Sequence, residues 1–223
     1  MCSVLLSALQ ILLRDGAETE EGEMSDPVKE TIECYEARAK DYAQEHLDPA
    51  VVEELLEYFI GHLYGLKILD VGCGPGWDAK YFTDHGFGVI GIDPVEEFLE
   101  IARKVAPKAT FLKMDMRVLD FPPESFDGLW ACASFLHIPR KEALRTLRGF
   151  RKVLKPNGLL YLSVKEGERE SWRFYGGGCR SFITYYHIDE LVRLVSKAGF
   201  EVFRVRRDPK HEVFIDLFAR PKK

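Results

Sequence analysis

The stretch Asp70-Val71-Gly72-Cys73-Gly74-Pro75-Gly76 sets three glycines directly after a hydrophobic run that ends in an acid. Glycine tolerates positive φ and leaves no side chain between the backbone and a ligand, so this turn is built for a molecule that lies against it. A second acid, Asp93, closes the run Ile90-Gly91-Ile92 and stands 21 residues beyond Gly72. A carboxylate at that position can accept hydrogen bonds from both hydroxyls of a ribose. A third, Asp115, lies in Met114-Asp115-Met116 and by itself reads as a turn or N-cap aspartate. The glycines and Asp93 together suit a ligand that carries a ribose.

The elements needed to position them can be read from periodicity. Lys67–Val71 is a strand, the glycines a turn, and Trp77–Asp84 a helix. Gly88–Ile92 and Val95–Val105 repeat the strand and helix, followed by strands at Thr110–Met114 and Gly128–Ala133. A helix at Arg140–Leu154, a strand at Leu159–Val164 and a helix at Ile188–Ala198 come next. Strands Glu201–Arg206 and Val213–Ala219 are too close in sequence for a parallel crossover and should pair as a hairpin. The alternation predicts an α/β fold: a mostly parallel sheet covered on both faces, ending in one antiparallel strand. Upstream, Ser25 can cap a helix from Val28 to Gln44, with Ile32, Tyr35, Ala39 and Tyr42 at helical spacing. Asp48-Pro49 starts a second helix from Ala50 to His62.

These residues resemble motif I of the class I S-adenosylmethionine-dependent methyltransferases, with Asp93 matching the acid of the second motif. The likeness continues through Met114-Asp115-Met116, Phe126-Asp127-Gly128-Leu129, Leu154-Lys155-Pro156-Asn157-Gly158 and Lys197-Ala198-Gly199-Phe200, and spans roughly Tyr35 to Ala219. It implies a Rossmann-like seven-stranded sheet with helices on both faces and a C-terminal antiparallel β-hairpin. It also implies S-adenosyl-L-methionine as cofactor. On this resemblance Gly72, Gly74 and Gly76 give the backbone its close approach and Asp70 orients the methionyl end. Asp93 takes the ribose, Pro94 and Val95 line the adenine, Asp115 accepts from its amino group and Met116 packs beside it. Ser134 stands where the transferable methyl should point, and Tyr35, Arg38 and Tyr42 belong to a lid helix able to reach the methionyl carboxylate. The alternative dinucleotide fingerprint fails because its third glycine falls one place early, at Gly76, and Asp70 would repel a pyrophosphate. Ser134, Tyr161 and Lys165 imitate a dehydrogenase set, but the last two fall in or beside a strand rather than on a helix.

Methyl transfer is an in-line displacement that depends on alignment and exclusion of water, so no fixed catalytic residue follows from the glycines. His137, just after the fourth strand, is the first candidate for a base; Glu166, Tyr186 and His187 are others. The segment 165–186 carries Lys165, Arg169, Trp172, Arg173, the triple glycine 176–178, Arg180 and Tyr185, and reads as an acceptor-binding lid hinged at its glycines. Lys165, Arg173, Arg180 and Tyr185 are its candidate substrate contacts, for an acceptor of anionic or planar character. Cys73 reads as a small packing residue among the glycines.

Composition bounds the partners. The chain has 223 residues, 31 Lys plus Arg against 36 Asp plus Glu, and a net charge of −5. That length suits one α/β domain with an appendage, and no apolar run reaches the roughly 18–20 residues of a membrane span. Residues 1–60 hold 15 acids and 4 bases, leaving the remainder mildly basic. Nothing points to a DNA-coating protein. The bases of Arg140–Lys155 read as the solvent side of a helix, although a tRNA-modifying enzyme stays open as an alternative, as does a non-catalytic binding subunit. Five cysteines without a CxxC pair suggest neither a disulfide framework nor a zinc site, and suit a reducing cytosol, with a small-molecule acceptor and a monomer or homodimer. The expected organisation is an extension with an acidic linker at 1–24, lid helices at 25–64 and the main domain at 65–223. The apolar Val4–Leu13 reads as a peripheral helix rather than a signal peptide, and Met24 is an alternative start.

Overall fold

A computed structural model describes residues 26–45, 52–175, 178–208 and 213–222. Val4–Leu13, the acidic linker, Met24, Ser25 and Asp48-Pro49 lie outside the described residues. Helices α1 (Pro27–Glu45) and α2 (Glu53–Gly61) precede β1 (Lys67–Val71). They are followed by α3 (Trp77–Asp84), β2 (Gly88–Asp93), α4 (Glu96–Val105) and β3 (Thr110–Lys113). Next come β4 (Phe126–Ala131), a short 3-10 turn (Phe135–His137), α5 (Arg140–Val153) and β5 (Leu154–Lys165). The described chain ends with β6 (Glu170–Phe174), β7 (Arg180–Thr184), α6 (Ile188–Lys197), β8 (Phe200–Asp208) and β9 (Phe214–Pro221).

Seven strands form one sheet in the order β3-β2-β1-β4-β5-β9-β8. β1 to β5 run parallel, and β9 is antiparallel to both β5 and β8. The expected antiparallel strand is therefore present but lies one place in from the edge. Burial explains the order: Ile215, Leu217, Phe218 and Ala219 of β9 are fully buried, whereas β8 carries Glu201, Arg204, Arg206 and Arg207. A charged strand makes a safe edge and an apolar one does not.

The two-residue period of the strands divides the core between the two faces. Leu69 and Val71 pack with Phe150 of α5 and Val195 of α6 on one side. Ile68 packs with Phe82 of α3, Trp130 of β4 and Leu56 and Phe59 of α2 on the other. The N-terminal helices thus have different roles. Leu56 and Phe59 are fully buried, so α2 is part of the core rather than a lid, while α1 lies over the carboxyl end of the sheet.

The segment read as a glycine-hinged lid is an antiparallel ribbon of β6 and β7, with Gly178 (φ +81°) in the turn between them. Hydrophobic contacts and hydrogen bonds join the ribbon to one face of α1. Arg180 donates to Glu30 Oε2 through Nε and Nη2 at 2.8 and 2.6 Å. The Phe182 amide donates to Thr31 Oγ1 at 2.9 Å, and the Arg38 guanidinium stacks 3.9 Å above the Tyr175 ring. Cys34 and Cys179 are disulfide-bonded. This corrects the reading of the cysteines: the partners lie 145 residues apart, and only the docking of α1 on the ribbon brings them together.

Candidate functional site

β1 ends where the strand order reverses, with β2 on one side and β4 on the other. This is the crevice in which open α/β sheets hold ligands. The glycine turn is drawn against β2, because the Gly72 and Cys73 amides both donate to the Ile92 carbonyl, at 2.8 and 3.0 Å. Gly72, Gly74 and Gly76 have φ of +68°, +50° and +86°, a region that side chains disfavour. Their surroundings differ. A Cβ on Gly72 would lie 2.4 Å from Ser134 Cβ, and one on Gly76 2.9 Å from Ala102 Cβ, but one on Gly74 would meet no protein atom within 4 Å. Gly72 and Gly76 therefore let the turn pack against the protein, and Gly74 borders open space.

That space is a cleft of about 280 Å³. Gly72, Gly74, Asp93, Pro94, Val95, Asp115, Met116, Ser134, Tyr35, Tyr42 and His137 all line it, whereas Asp70 and Gly76 do not. Asp70 lies behind the turn, 2% exposed, and its Oδ2 has no hydrogen-bond partner. Trp77, Asp78, Thr31, Phe98 and Cys132 also line the cleft. Sequence reasoning missed them, although Trp77 and Asp78 directly follow the glycines. The Trp77 indole nitrogen is buried without a partner.

Three acids gather beneath the turn. Asp93 Oδ2 accepts from the Gly74 amide at 3.0 Å and Oδ1 from the Val95 amide at 2.9 Å. Asp78 accepts from the Trp130 indole at 2.6 Å. Burial pushes Asp93 up to about 6 despite its two amide donors. Burial, then the charges of Asp78 and Asp93, hold Asp70 well above the usual carboxylate range, and burial raises Asp78. No lysine or arginine among the described residues offsets these three groups, so a cation placed beside them would be stabilised.

Asp115 serves its own turn and also borders the cleft. It lines the cleft, and its Oδ1 accepts from the Arg117 amide two residues on, at 2.8 Å, as a turn aspartate does. Arg117 also donates to Asp115 Oδ2 from Nε and Nη2, at 2.8 and 2.7 Å, and pairs with Asp26 and Glu142 at 2.9 and 3.3 Å. Arg117 thus ties the start of α1 to α5, and nothing in its local sequence signals it. Ser134 Oγ donates to the Val71 carbonyl at 2.6 Å and is spent on backbone.

Tyr35 and Tyr42 flank a kink in α1 at Arg38 (φ −124°, ψ 15°). They pack edge to face at 5.5 Å and against Phe98 at 5.8 and 5.3 Å, so the same rings that seat the helix wall the cleft. His137 Nδ1 lies 2.7 Å from the Phe182 carbonyl. A carbonyl only accepts, so Nδ1 carries the proton and Nε2 accepts from the Tyr35 hydroxyl at 3.2 Å. Burial, aided by the charge of Lys165, lowers His137 to about 4. The imidazole is neutral at pH 7 and fixed in one tautomer. It can orient the Tyr35 hydroxyl, but it is a weak base.

A second cavity of about 330 Å³ adjoins the cleft and shares Tyr35, Tyr42, Ala133 and His137 with it. Lys165 and Arg173 line this cavity, while Arg180 and Tyr185 line neither. Arg180 is engaged by Glu30 and lies 4.1 Å over the Trp172 ring. Tyr185 is half-buried, and its carbonyl accepts from Arg140. Among the other candidates, Glu166 pairs with Arg207, Tyr186 is buried under Arg140 and His187 is exposed.

Residues 68–158 match a family model described as a methyltransferase domain. The chain is 36% identical over 115 residues to a protein of Talaromyces variabilis named S-adenosyl-L-methionine-dependent Diels-Alderase, covering 48% of this chain and 39% of that one. It is 31% identical over 116 residues to a ubiquinone biosynthesis O-methyltransferase of Idiomarina loihiensis, covering 49% and 46%. The chain therefore spans less than half the length of either curated relative. Its fold matches that of a 1,6-didemethyltoxoflavin-N1-methyltransferase of Burkholderia thailandensis with a TM-score of 0.73, at 22% identity and over 87% of this chain and 88% of the other.

Proposed function

We propose that the chain is a class I S-adenosylmethionine-dependent methyltransferase that transfers a methyl group from S-adenosylmethionine to a small molecule; the methyltransferase-domain match over residues 68–158 and the likeness in fold support that reading. The observation that carries the proposal is the cleft itself. Gly72 and Gly74, both with positive φ, share it with Asp78 and Asp93, and Asp70 lies buried behind the turn with an unpartnered oxygen. That arrangement fits a cationic nucleoside and would reject a pyrophosphate.

In this reading Gly72 and Gly74 admit the ligand to the backbone, and Asp93 offers its remaining lone pairs to the ribose. Pro94, Val95, Met116 and Asp115 surround the adenine, while Trp77, Tyr35 and Tyr42 hold the methionyl end, with Asp70 buried behind the turn. When bound, the cofactor supplies a methyl group on a positively charged sulfur that leaves as a neutral thioether. Tyr35, Tyr42 and Phe98 exclude water from the cleft, and the Tyr35 hydroxyl, fixed by neutral His137, orients what lies at the junction of the two cavities.

Calorimetry with S-adenosylhomocysteine tests the assignment. Gly74→Val places its side chain in open space, so folding should persist while binding is lost; Asp93→Ala should also abolish binding. Retained affinity in a folded Gly74→Val protein would overturn the cofactor site. A second reading has one observation behind it, the 36% identical relative named as a Diels-Alderase: the cofactor stays intact while the cavity rearranges a substrate. Formation of S-adenosylhomocysteine in step with product supports methyl transfer, and product without it supports rearrangement.

A further inference from the structure

The bond between Cys34 and Cys179 fastens a helix that helps wall both cavities. α1 contributes Val28, Thr31, Ile32, Tyr35 and Tyr42 to the cleft, and the last two also border the second cavity. Cys34 immediately precedes Tyr35 and is 4% exposed. Cys179 is only half-buried and stands next to the exposed Gly178 in the turn of the ribbon. The ribbon also holds the walls themselves, since the Phe182 amide donates to Thr31 and its carbonyl accepts from His137. The contacts of Arg180 with Glu30, of Phe182 with Thr31 and of Arg38 with Tyr175 are non-covalent, so thermal motion opens and recloses them. The disulfide opens only by chemistry, and a disulfide that offers a sulfur to solvent is the kind that exchanges with thiols.

We propose that this bond is a redox latch on the cleft: oxidised, it keeps α1 seated, and reduced by a dithiol it lets α1 lift and ligands exchange. A thiolate of the dithiol attacks Cys179 Sγ, the bond to Cys34 breaks, and Cys34 leaves as a thiolate that takes up a proton. The second thiol then attacks the reductant's own sulfur in the mixed disulfide, which closes a cyclic disulfide and releases Cys179 as a thiol. Two electrons and two protons thus pass from the dithiol to the two cysteines. The latch rests on the methyl-transfer reading for the identity of what enters the cleft, whereas access itself is measurable without a ligand.

Cys132 is the reporter, because it lines the cleft and takes no part in a disulfide. The full chain is treated with N-ethylmaleimide, either oxidised or after reduction by dithiothreitol and removal of the reductant, and the Cys132 peptide is followed by mass spectrometry. Labelling should run at least about tenfold faster in the reduced chain, as expected when a local opening is no longer blocked. The double variant Cys34→Ser, Cys179→Ser should label at the reduced rate with or without dithiothreitol. Arg180→Met removes a contact between the same elements but keeps the bond, and should label as slowly as oxidised wild type. Near-ultraviolet circular dichroism establishes that each species is folded, and the reduced wild-type chain decides if the double variant does not fold. Equal labelling rates in the two folded forms, a bond that survives excess dithiothreitol, or loss of the fold on reduction would each overturn the proposal. Added S-adenosylhomocysteine should protect Cys132 in both forms; absence of protection would count against the cofactor site and leave the comparison of oxidised with reduced chain intact.

Discussion

Replacing His137 by Gln should flatten the acid limb of the protein's stability. In the folded chain burial holds this imidazole at about 4, against an ordinary value of 6.5. At pH 5 the folded protein therefore keeps it neutral, whereas the unfolded chain protonates it. The unfolded state binds the extra proton, so falling pH favours unfolding; the stabilisation is present above 6.5 and lost on the way down to 4. Between pH 7 and pH 5 the wild-type protein should lose about 2 kcal/mol from this group alone. Asp93, at about 6, acts in the opposite direction, because its proton is bound more tightly by the folded state. Its contribution is common to both proteins and cancels in their difference. Glutamine can still donate to the Phe182 carbonyl and accept from the Tyr35 hydroxyl, so the substitution removes the charge without stripping either partner. Urea unfolding of both proteins at pH 7 and pH 5 gives the required double difference. Wild type should lose about 2 kcal/mol of its advantage over the variant. Two stability curves that stay parallel across this range would refute the depressed protonation of this imidazole.

Gly72→Ala should cost more than Gly74→Ala in thermal unfolding. Both incur about 1–2 kcal/mol for the left-handed backbone, but only the first drives a methyl into Ser134, adding about 1–3 kcal/mol; equal losses would contradict the packing described. Cys34→Ser, or full reduction, should lower the unfolding free energy by about 2–5 kcal/mol, since the bond closes a loop of 145 residues. An unchanged denaturant midpoint under reducing conditions would rule this out. Arg117→Met leaves Asp26, Asp115 and Glu142 facing one another and should cost about 2 kcal/mol, between the limits for exposed and buried pairs. The loss should shrink in high salt, which screens the carboxylates from one another, and a loss independent of salt would show that packing rather than charge is responsible.

The features legible in the sequence were those with local causes. β1 and β2 are apolar runs that end in an acid, and the glycines sit where only a sharp turn fits; both strands, the turn and α3 fall within a residue of their expected limits. Asp93, Pro94, Val95 and Met116 follow from this frame because they are a fixed number of residues past a strand end. What stayed hidden depends on distant partners. β6 reads Glu-Ser-Trp-Arg-Phe and is mostly exposed, so its pattern lacks the buried face that marks a strand; it is held by β7 and by α1. The contact of Cys34 with Cys179 and that of Arg117 with Asp26 and Glu142 have no sequence spacing to announce them. Arg180 was misassigned for the same reason. A basic residue beside aromatics suggests a ligand contact until Glu30, 150 residues away, is found against it.

The bond between Cys34 and Cys179 turns the chain from one to the other into a closed ring that encloses β1 to β6. A visitor to either cavity cannot gain admission by prising α1 from the ribbon along their seam, because the ring would have to break first. The helix and the ribbon are one body at that bond. Any displacement of α1 carries the ribbon's turn with it, and the cleft and the second cavity, which share Tyr35 and Tyr42 of that helix, change shape together.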